Sequence, residues 1–283
     1  NIEALPFADA GGTDHQAVVY PAPPRGLRFR QSLQRLAAWI VQDCRRRSFV
    51  PDLVHAHKLT VEGTVGQLVA QELGVPLAVS IQGKTDAELT TRAFWLRALF
   101  QSVWRDAALI MPLAPWAQAK MTLTLGETRA RCHALPCPTK ADQLIAPRLV
   151  AEPVIRSAFN LKDSARKNAA GLIRAAGIAG RRIPALRLEI IGGGSPAAFA
   201  DLSRLADRSA PGQVSFLGAV GNEKVQALFN SAAAFALVSH RESFGMVFAE
   251  ALLSGAPCLI PSSQGIEGFF EPGEILLDAD PKK

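Results

Sequence analysis

The sequence lacks the patterns that mark several common classes of protein. Its four cysteines form no Cys-x-x-Cys pair and no cluster with histidine at zinc-site spacing, so no metal site is expected. No apolar run approaches the roughly 18 residues of a membrane-spanning helix. Aromatic residues make up only 7% of the chain, and no nucleic-acid-binding module is recognisable. The remaining composition, rich in alanine, leucine and glycine, fits an α/β protein.

The charge and the cysteines set further bounds. The net charge of +6 is spread along the chain, which is too diffuse for nucleic-acid binding but compatible with anionic substrates or a membrane surface. Isolated cysteines are usually small buried apolar residues in a reducing compartment. We therefore expect a cytoplasmic protein with no nucleic-acid partner.

The segment 25–47 predicts an amphipathic helix with a basic end, because apolar residues from Leu27 to Cys44 fall near one helical face. One interpretation is a helix that covers a sheet and leaves its arginines in water. The other is a surface that attracts anionic lipid headgroups, so that the protein lies at the inner face of a membrane. The sequence leaves both interpretations open.

Apolar runs of strand length alternate with helical patterns almost throughout. This alternation predicts an α/β fold with two Rossmann-like domains, each a parallel sheet covered by helices. The stretch 136–153 lacks periodicity and sets the domains at 1–146 and 147–283. The predicted strands are 53–57, 76–81, 108–111, 133–135, 154–159, 186–191, 214–217, 233–238 and 257–260, and the predicted helices are 63–73, 91–104, 114–125, 169–178, 199–207, 222–229 and 246–253.

The segment 239–251 carries two carboxylates at a suggestive spacing. Glu242 follows the strand 233–238, and Glu250 lies just over one turn into the helix that starts near Gly245. Both can point into the crevice at the carboxyl end of the strand, where open α/β sheets bind ligands. Carboxylates accept hydrogen bonds from vicinal sugar hydroxyls, and a helix N-terminus favours phosphate. On spacing alone, two unrelated helix and surface carboxylates fit about as well.

The pattern Ser-x-x-Glu-x-Phe-Gly-x-x-x-x-Glu-Ala, which starts at Ser239, resembles the Glu-x7-Glu signature of family-4 retaining glycosyltransferases, the glycosyl transferases group 1 with the GT-B fold. The resemblance covers roughly residues 50–280 and implies two Rossmann-like domains that face a central cleft. The family's opening glycine-rich loop and its last helix are missing, so we expect a fragment that lacks both ends. The segments that match in the family's order are 51–57, 74–76, 188–194 and 223–229.

The resemblance implies a donor site in the second domain and an acceptor side in the first. Glu250 would bind the donor ribose, and Glu242 would lie near the hexose. The other donor-binding candidates would act through their backbone or by its close approach to the nucleotide, although the three consecutive glycines also fit a plain strand-to-helix turn. These candidates are Ser243, Phe244, Gly245, Gly192, Gly193 and Gly194.

Cationic side chains would neutralise the diphosphate leaving group, as the resemblance implies. Lys167 matches the lysine of the family well, whereas the arginine position is served by either Arg166 or Lys162. Because these cations replace a divalent metal, no metal and no cofactor are expected beyond the nucleotide-diphosphate sugar as co-substrate. Glu242 is expected to bind hexose hydroxyls and not to act as a covalent nucleophile.

Two positions depart from the family pattern. Gln82 stands where the family often has a histidine, and Gln264 stands near a displaced glutamate. Gln82 can still hydrogen-bond a sugar hydroxyl on the acceptor side. His57 is a second acceptor-side candidate, for which a buried histidine satisfied by the backbone is the competing interpretation.

The resulting prediction is a retaining transferase that moves a hexosyl group from a nucleotide-diphosphate sugar to a glycan or glycolipid, as in bacterial polysaccharide or lipopolysaccharide assembly. A non-catalytic sugar-nucleotide-binding or scaffold protein of the same fold is the main alternative. A third alternative, suggested by the glycine turn at Gly192, is a dinucleotide-binding oxidoreductase. It lacks Gly-x-Gly-x-x-Gly, because Ser195, Pro196 and Ala197 follow Gly194.

Overall fold

The computed structural model describes residues 2–5, 17–21, 28–141, 143–271 and 276–281. The chain divides into two compact α/β units, the first formed by 1–112 and 118–134 and the second by 113–117 and 135–283. Each unit contains a parallel sheet with helices, which confirms the predicted fold class. None of the helices in the described residues has the length and apolar character needed to cross a bilayer.

Unit 1 is built on a four-stranded parallel sheet in the order β3-β4-β5-β6. Every residue of β4 is buried, as the continuous apolar sequence of an inner parallel strand predicts. A two-stranded antiparallel ribbon, β1–β2, precedes it. The elements are β1 (Glu3–Leu5), β2 (Ala17–Val19), α1 (Phe29–Arg46), β3 (Val54–Ala56), α2 (Val61–Leu73), β4 (Leu77–Ile81), α3 (Lys84–Arg92), α4 (Arg97–Asp106), β5 (Leu109–Pro112), α5 (Pro115–Leu125, which ends in unit 1) and β6 (Arg131–Cys132).

The helix predicted within 25–47 forms α1, and Leu27 lies outside the described residues. The buried face of α1 consists of Leu33, Ala37 and Val41, which pack with Val65 and Val69 of α2. The apolar face of α1 is therefore buried mainly against the helix α2, whereas a helix lying on the sheet was expected. The basic end is largely ion-paired, because the guanidinium groups of Arg45, Arg46 and Arg47 lie 2.9, 2.9 and 2.7 Å from carboxylates of Glu72 or Asp43.

The single helix predicted over 91–104 is wrong. The chain instead forms α3, a 3-10 turn at Phe94–Leu96, and α4. Ala93 is buried and leaves the helical conformation with ψ 57°, which ends α3. The apolar periodicity came from Phe100, Val103 and Trp104, which are the buried residues of α4 alone.

Unit 2 is built on a six-stranded parallel sheet in the order β12-β11-β10-β7-β8-β9. From β7 the chain builds the sheet outward on one side, then returns to β10 and builds the other side. This is the doubly wound order of a Rossmann fold, with its switch point between β7 and β10. The elements are β7 (Val154–Ala158), α6 (Ala169–Gly180), β8 (Arg187–Ile191), α7 (Pro196–Ser209), β9 (Val214–Gly218), α8 (Asn222–Asn230), β10 (Ala234–Ala236), α9 (Met246–Leu253), β11 (Cys258–Pro261) and β12 (Leu276–Ala279).

The expected linker segment packs on unit 2. The Ile145 N–H donates to the Leu253 carbonyl at 2.7 Å, and the Asn230 side chain donates to the Ala146 carbonyl at 2.9 Å. The division by contacts therefore falls at Leu135, before the position 147 expected from periodicity. The assignment of acceptor and donor roles to the two domains stays a prediction.

Candidate active site

The loops that follow β7 and β10 meet at the switch point of unit 2. Because parallel neighbours end at the same sheet edge, both loops leave the sheet side by side. The His240 N–H donates to the Arg166 carbonyl at 3.0 Å. The Lys167 Nζ lies 2.5 Å from the Glu242 Oε2. Two residues predicted separately for the donor site are thus in direct contact.

Glu242 is held from three directions. Its Oε2 accepts hydrogen bonds from the Lys167 ammonium and from the Ser239 hydroxyl at 3.2 Å. Its backbone N–H donates to the Gln264 Oε1 at 2.8 Å, which gives a structural role to that residue. The side chains of Lys167 and Glu242 are 13% and 8% exposed. Two charges this far removed from water are stable only when paired, so each fixes the position of the other.

The ion pair leaves hydrogen-bonding capacity for a ligand. An ammonium group has three donors, and Glu242 takes one of them. Lys167 can therefore donate to a phosphate oxygen without releasing Glu242.

The two alternatives for the second cation differ in position. Arg166 lies 3.3 Å from the Asp163 carboxylate and donates to the Arg241 carbonyl at 3.4 Å, so it touches the loop that carries Glu242. Lys162 is exposed, and its ammonium forms no ion pair within the part of the chain that the structure describes. The geometry brings Arg166, and not Lys162, to the β10 loop.

Glu250 is the fifth residue of α9. Its Oε1 accepts a hydrogen bond from the Thr139 hydroxyl at 3.0 Å, and that hydroxyl accepts one from the Ala141 N–H at 3.3 Å. Because a carboxylate oxygen only accepts hydrogen bonds, the Thr139 hydroxyl donates its proton to Glu250. A polar cavity of about 210 Å³ lies beside the carboxylate. It is lined by Lys140, Ala141, Asn222, Glu223, Val225, Gln226 and Glu250. Thr139 was not predicted, since no spacing links position 139 to position 250.

The start of α9 depends on a glycine. Gly245 has φ +77°, and a Cβ there would lie 2.6 Å from the Phe248 ring. The Phe244 side chain is buried and packs edge-on against Phe269 at a centroid distance of 6.2 Å, so only its backbone can face a ligand. Ser243 is half-buried beside it. The first N–H groups of α9 are those that a helix leaves unpaired for an anion.

The three glycines after β8 have different neighbours. A Cβ on Gly192 would overlap the Phe159 carbonyl oxygen, and one on Gly194 would lie 2.5 Å from the Leu161 Cβ. A Cβ on Gly193 would make only an ordinary 3.4 Å contact with Ala219. Close packing against the loop after β7 therefore explains two of the glycines without a ligand.

We expect Gly192→Ala to destabilise unit 2 by about 2–3 kcal/mol, since an inserted methyl group must push backbone apart. Gly193→Ala should change the free energy of unfolding by less than about 0.5 kcal/mol, as substitutions outside such features do. Urea unfolding followed by circular dichroism compares the two variants. Equal stability of both would contradict the packing argument.

The acceptor-side candidates lie at the carboxyl ends of β3 and β4 in unit 1. His57 is exposed, so the interpretation as a buried histidine is wrong. Its ring lies 4.5 Å from that of His55, whose Nε2 is 2.8 Å from the Ser80 hydroxyl. Burial, and then the nearby His57, lower the pKa of His55. Gln82 is half-buried on the adjacent loop.

Asp86 joins these two loops, and sequence reasoning gave it no role. The carboxylate is fully buried and accepts hydrogen bonds from the N–H groups of Leu59, Thr60 and Gln82 at 3.1, 3.3 and 3.2 Å, and from the Thr60 hydroxyl at 3.3 Å. Burial raises the pKa of Asp86 to about 6, although these hydrogen bonds oppose the shift. In the sequence Asp86 is a single acidic residue among polar neighbours, so no motif or spacing predicts its role.

The raised pKa of Asp86 predicts a pH-dependent stability. Because the folded pKa is about 6 and the ordinary value is 3.8, the stabilisation from protonation is complete below pH 4 and is lost as the pH rises through 6. The stability of the wild type relative to Asp86→Asn should therefore fall by about 2 kcal/mol between pH 4 and pH 7. Urea titrations at both pH values measure this difference. Asp52→Asn replaces an exposed carboxylate and serves as the control variant. Stability profiles of the wild type and of Asp86→Asn that run parallel between pH 4 and pH 7 would refute the prediction.

The residues that the structure describes contain no group of three histidine, cysteine, aspartate or glutamate side chains placed to hold a metal ion.

Comparisons with known proteins agree with this architecture. Residues 3–138 match the model of the glycosyl transferase 4-like domain, and residues 160–282 match that of the glycosyl transferases group 1. No curated protein matches the sequence significantly.

Solved structures show the same fold. The chain is similar to sucrose-phosphate synthase from Thermosynechococcus elongatus (TM-score 0.64, 19% identity, covering 95% of this chain and 71% of the other). It is also similar to the lipopolysaccharide outer core galactosyltransferase WaaB (TM-score 0.64, 17% identity, covering 90% of this chain and 67% of the other). Anabaena HepE, solved in complex with UDP, is a third similar structure (TM-score 0.67, 19% identity, covering 88% of this chain and 69% of the other).

The doubly wound sheet of unit 2, the two matched family models and these structures define the class: the protein belongs to the glycosyltransferases of the GT-B fold. More narrowly, its first half is a glycosyl transferase 4-like domain, and its second half is a glycosyl transferases group 1 domain. The prediction of a glycosyltransferase with this fold is confirmed.

Proposed function

We propose that this glycosyltransferase is a retaining, metal-independent hexosyltransferase of family 4, which transfers from a nucleotide-diphosphate sugar to a glycan or glycolipid. The contact between Lys167 and Glu242 at the switch point carries the proposal. It sets a cation with free donors beside a carboxylate, at the place where doubly wound sheets bind ligands. Similar structures solved with UDP and with UDP-glucose make a uridine nucleotide the first candidate for the donor.

Each site residue then has one task. Lys167 and Arg166 stabilise the negative charge that develops on the departing diphosphate, with the backbone of Phe244 and Gly245 at the start of α9. Glu242 accepts hydrogen bonds from the hexose, and Glu250 accepts them from the ribose. The acceptor hydroxyl oxygen bonds to the anomeric carbon on the face from which the diphosphate departs, and the hydroxyl proton passes to the departing phosphate oxygen, so the anomeric configuration is retained. The rate then depends mainly on positioning and charge stabilisation.

The cell compartment and the pathway belong to the same proposal. We place the enzyme in the cytoplasm of a bacterium, where sugar nucleotides are made, in the assembly of envelope polysaccharide or lipopolysaccharide. The similarity to a lipopolysaccharide galactosyltransferase supports this placement. His57 and Gln82 would face the acceptor.

Release of nucleoside diphosphate from UDP-, GDP- and ADP-sugars, with and without a glycolipid acceptor, tests the proposed function. We expect acceptor-dependent release from one donor, and a product with the anomeric configuration of that donor by NMR. An inverted product would refute retention. Tight nucleotide binding without transfer to any acceptor would favour the non-catalytic alternative.

A further inference from the structure

The turn between α3 and α4 in unit 1 exposes two adjacent aromatic side chains. Phe94 is 73% exposed and Trp95 is 67% exposed, and their rings meet edge-on at a centroid distance of 5.3 Å. Single exposed apolar residues are common on protein surfaces, but neighbouring large rings on one turn form a patch. We call the segment 92–97 the aromatic corner.

The backbone of the aromatic corner is firmly held. Ala93 is 4% exposed, and its N–H donates to the Leu89 carbonyl at 2.9 Å. The Leu96 N–H donates back to the Ala93 carbonyl at 2.9 Å, and Phe100 one turn later is fully buried. The two rings are therefore presented to solvent by an ordered turn that is anchored on both sides.

Positive charge flanks the two rings. Arg92 and Arg97 are exposed, and neither forms an ion pair with any residue of the described ranges. Asp86, in the first turn of α3, is fully buried. The aromatic corner thus combines a large apolar area with two exposed arginines that form no ion pair among the described residues, although Glu88 lies one helical turn before Arg92 on α3. This is the composition of a surface that binds anionic lipid.

The basic end of α1 is a weaker candidate for the same role. Its three consecutive arginines already lie within 2.9 Å of Asp43 or Glu72, so much of their charge is compensated within the protein. Leu33, Ala37 and Val41 of α1 are buried against α2 and cannot enter a bilayer without unfolding.

We propose that the aromatic corner docks unit 1 onto an anionic lipid bilayer, with Phe94 and Trp95 at the level of the headgroups and Arg92 and Arg97 on the lipid phosphates. Tryptophan suits this depth because its ring is apolar and its N–H remains in contact with polar groups. Two cationic and two aromatic side chains are expected to give reversible binding to the bilayer. The proposal does not depend on the proposed transfer reaction.

Vesicle co-sedimentation of the full chain, without any sugar nucleotide, tests the proposal. We expect binding to vesicles that contain phosphatidylglycerol and little binding to pure phosphatidylcholine. The double variant Phe94→Ser, Trp95→Ser should lower the partition coefficient by roughly tenfold or more. Arg92→Ser and Arg97→Ser should each lower it by roughly fivefold, with a loss that shrinks at high salt.

Leu123→Ser is the matched control, because Leu123 is 78% exposed elsewhere in unit 1. It should bind vesicles like the wild type. Equal binding by the double variant, or no binding of the wild type to anionic vesicles, would overturn the proposal. Binding of single-stranded RNA in place of vesicles, lost in the double variant, would overturn it in favour of a nucleic-acid surface. Unchanged thermal unfolding of each variant shows that the chain is folded.

Discussion

Glu250→Ala is expected to abolish most of the affinity for a nucleoside diphosphate. The proposed ribose contacts are two hydrogen bonds to a charged acceptor, each stronger than a bond between neutral groups. Their loss should cost about 3 kcal/mol, which is roughly 100-fold in Kd. Calorimetry with UDP, GDP and ADP measures the effect and identifies the base.

Two further variants sharpen this test. Thr139→Val removes the hydroxyl that donates to the Glu250 Oε1 and should weaken binding by roughly fivefold, in line with one lost hydrogen bond. Glu152→Ala removes an exposed carboxylate of unit 2 and should leave the affinity unchanged. Full affinity of the folded Glu250→Ala variant would place the ribose elsewhere. An effect in Glu250→Ala with none in Thr139→Val would limit the role of Thr139 to packing.

Lys167→Ala is expected to lower kcat by roughly 100- to 1000-fold, as the loss of a group that stabilises charge in the transition state does. Nucleotide affinity should fall by less than about tenfold, because the backbone of α9 and Glu250 still hold the ligand. Separate measurements of kcat and of the Kd for the product nucleotide, on the same preparation, distinguish the two effects. Turnover equal to the wild type would exclude Lys167 from the chemistry.

The ion pair complicates that variant in a defined way. Without Lys167, the Ser239 hydroxyl is the one partner left to the buried Glu242 carboxylate among the described residues, so stability should fall by about 3 kcal/mol. Lys167→Arg keeps the charge and should restore stability, with partial recovery of kcat. Arg174→Ala, at an exposed position of α6, controls for general loss of positive charge. Recovery of stability without any recovery of turnover would show that lysine geometry is required.

The helices of unit 2 were predictable because residues that stop or start helices mark their ends. The helix expected over 246–253 is Met246–Leu253, where Gly245 begins it and Ser254 and Gly255 end it. In unit 1 the same method failed over 91–104, because periodicity reports which side chains are buried and not whether the backbone continues. The strand expected at 133–135 is Arg131–Cys132, although the His133 N–H still bonds to the Ile110 carbonyl.

The residues of the proposed donor site were predicted as a set, without their arrangement. The loop positions of Glu242 and Lys167 follow from the order of strands and helices. Their ion pair depends on β7 and β10 being neighbours, which no local pattern encodes. Thr139 was missed because Glu250 lies 111 residues away, and the link that Asp86 makes to the β3 loop was missed because Leu59 lies 27 residues away. The proposed roles of all the site residues stay predictions until the variants are measured.

The separation of 75 residues between Lys167 and Glu242 has a consequence for folding. Closing a loop of that length costs chain entropy before the contact contributes any stability, so contacts of this range form late. During synthesis, the β7 loop emerges long before its partner and carries an unmatched cation until β10 has been added to the sheet. We therefore expect the contact between Lys167 and Glu242 to be among the last parts of unit 2 to assemble, and a chain stopped before position 242 to lack the proposed site.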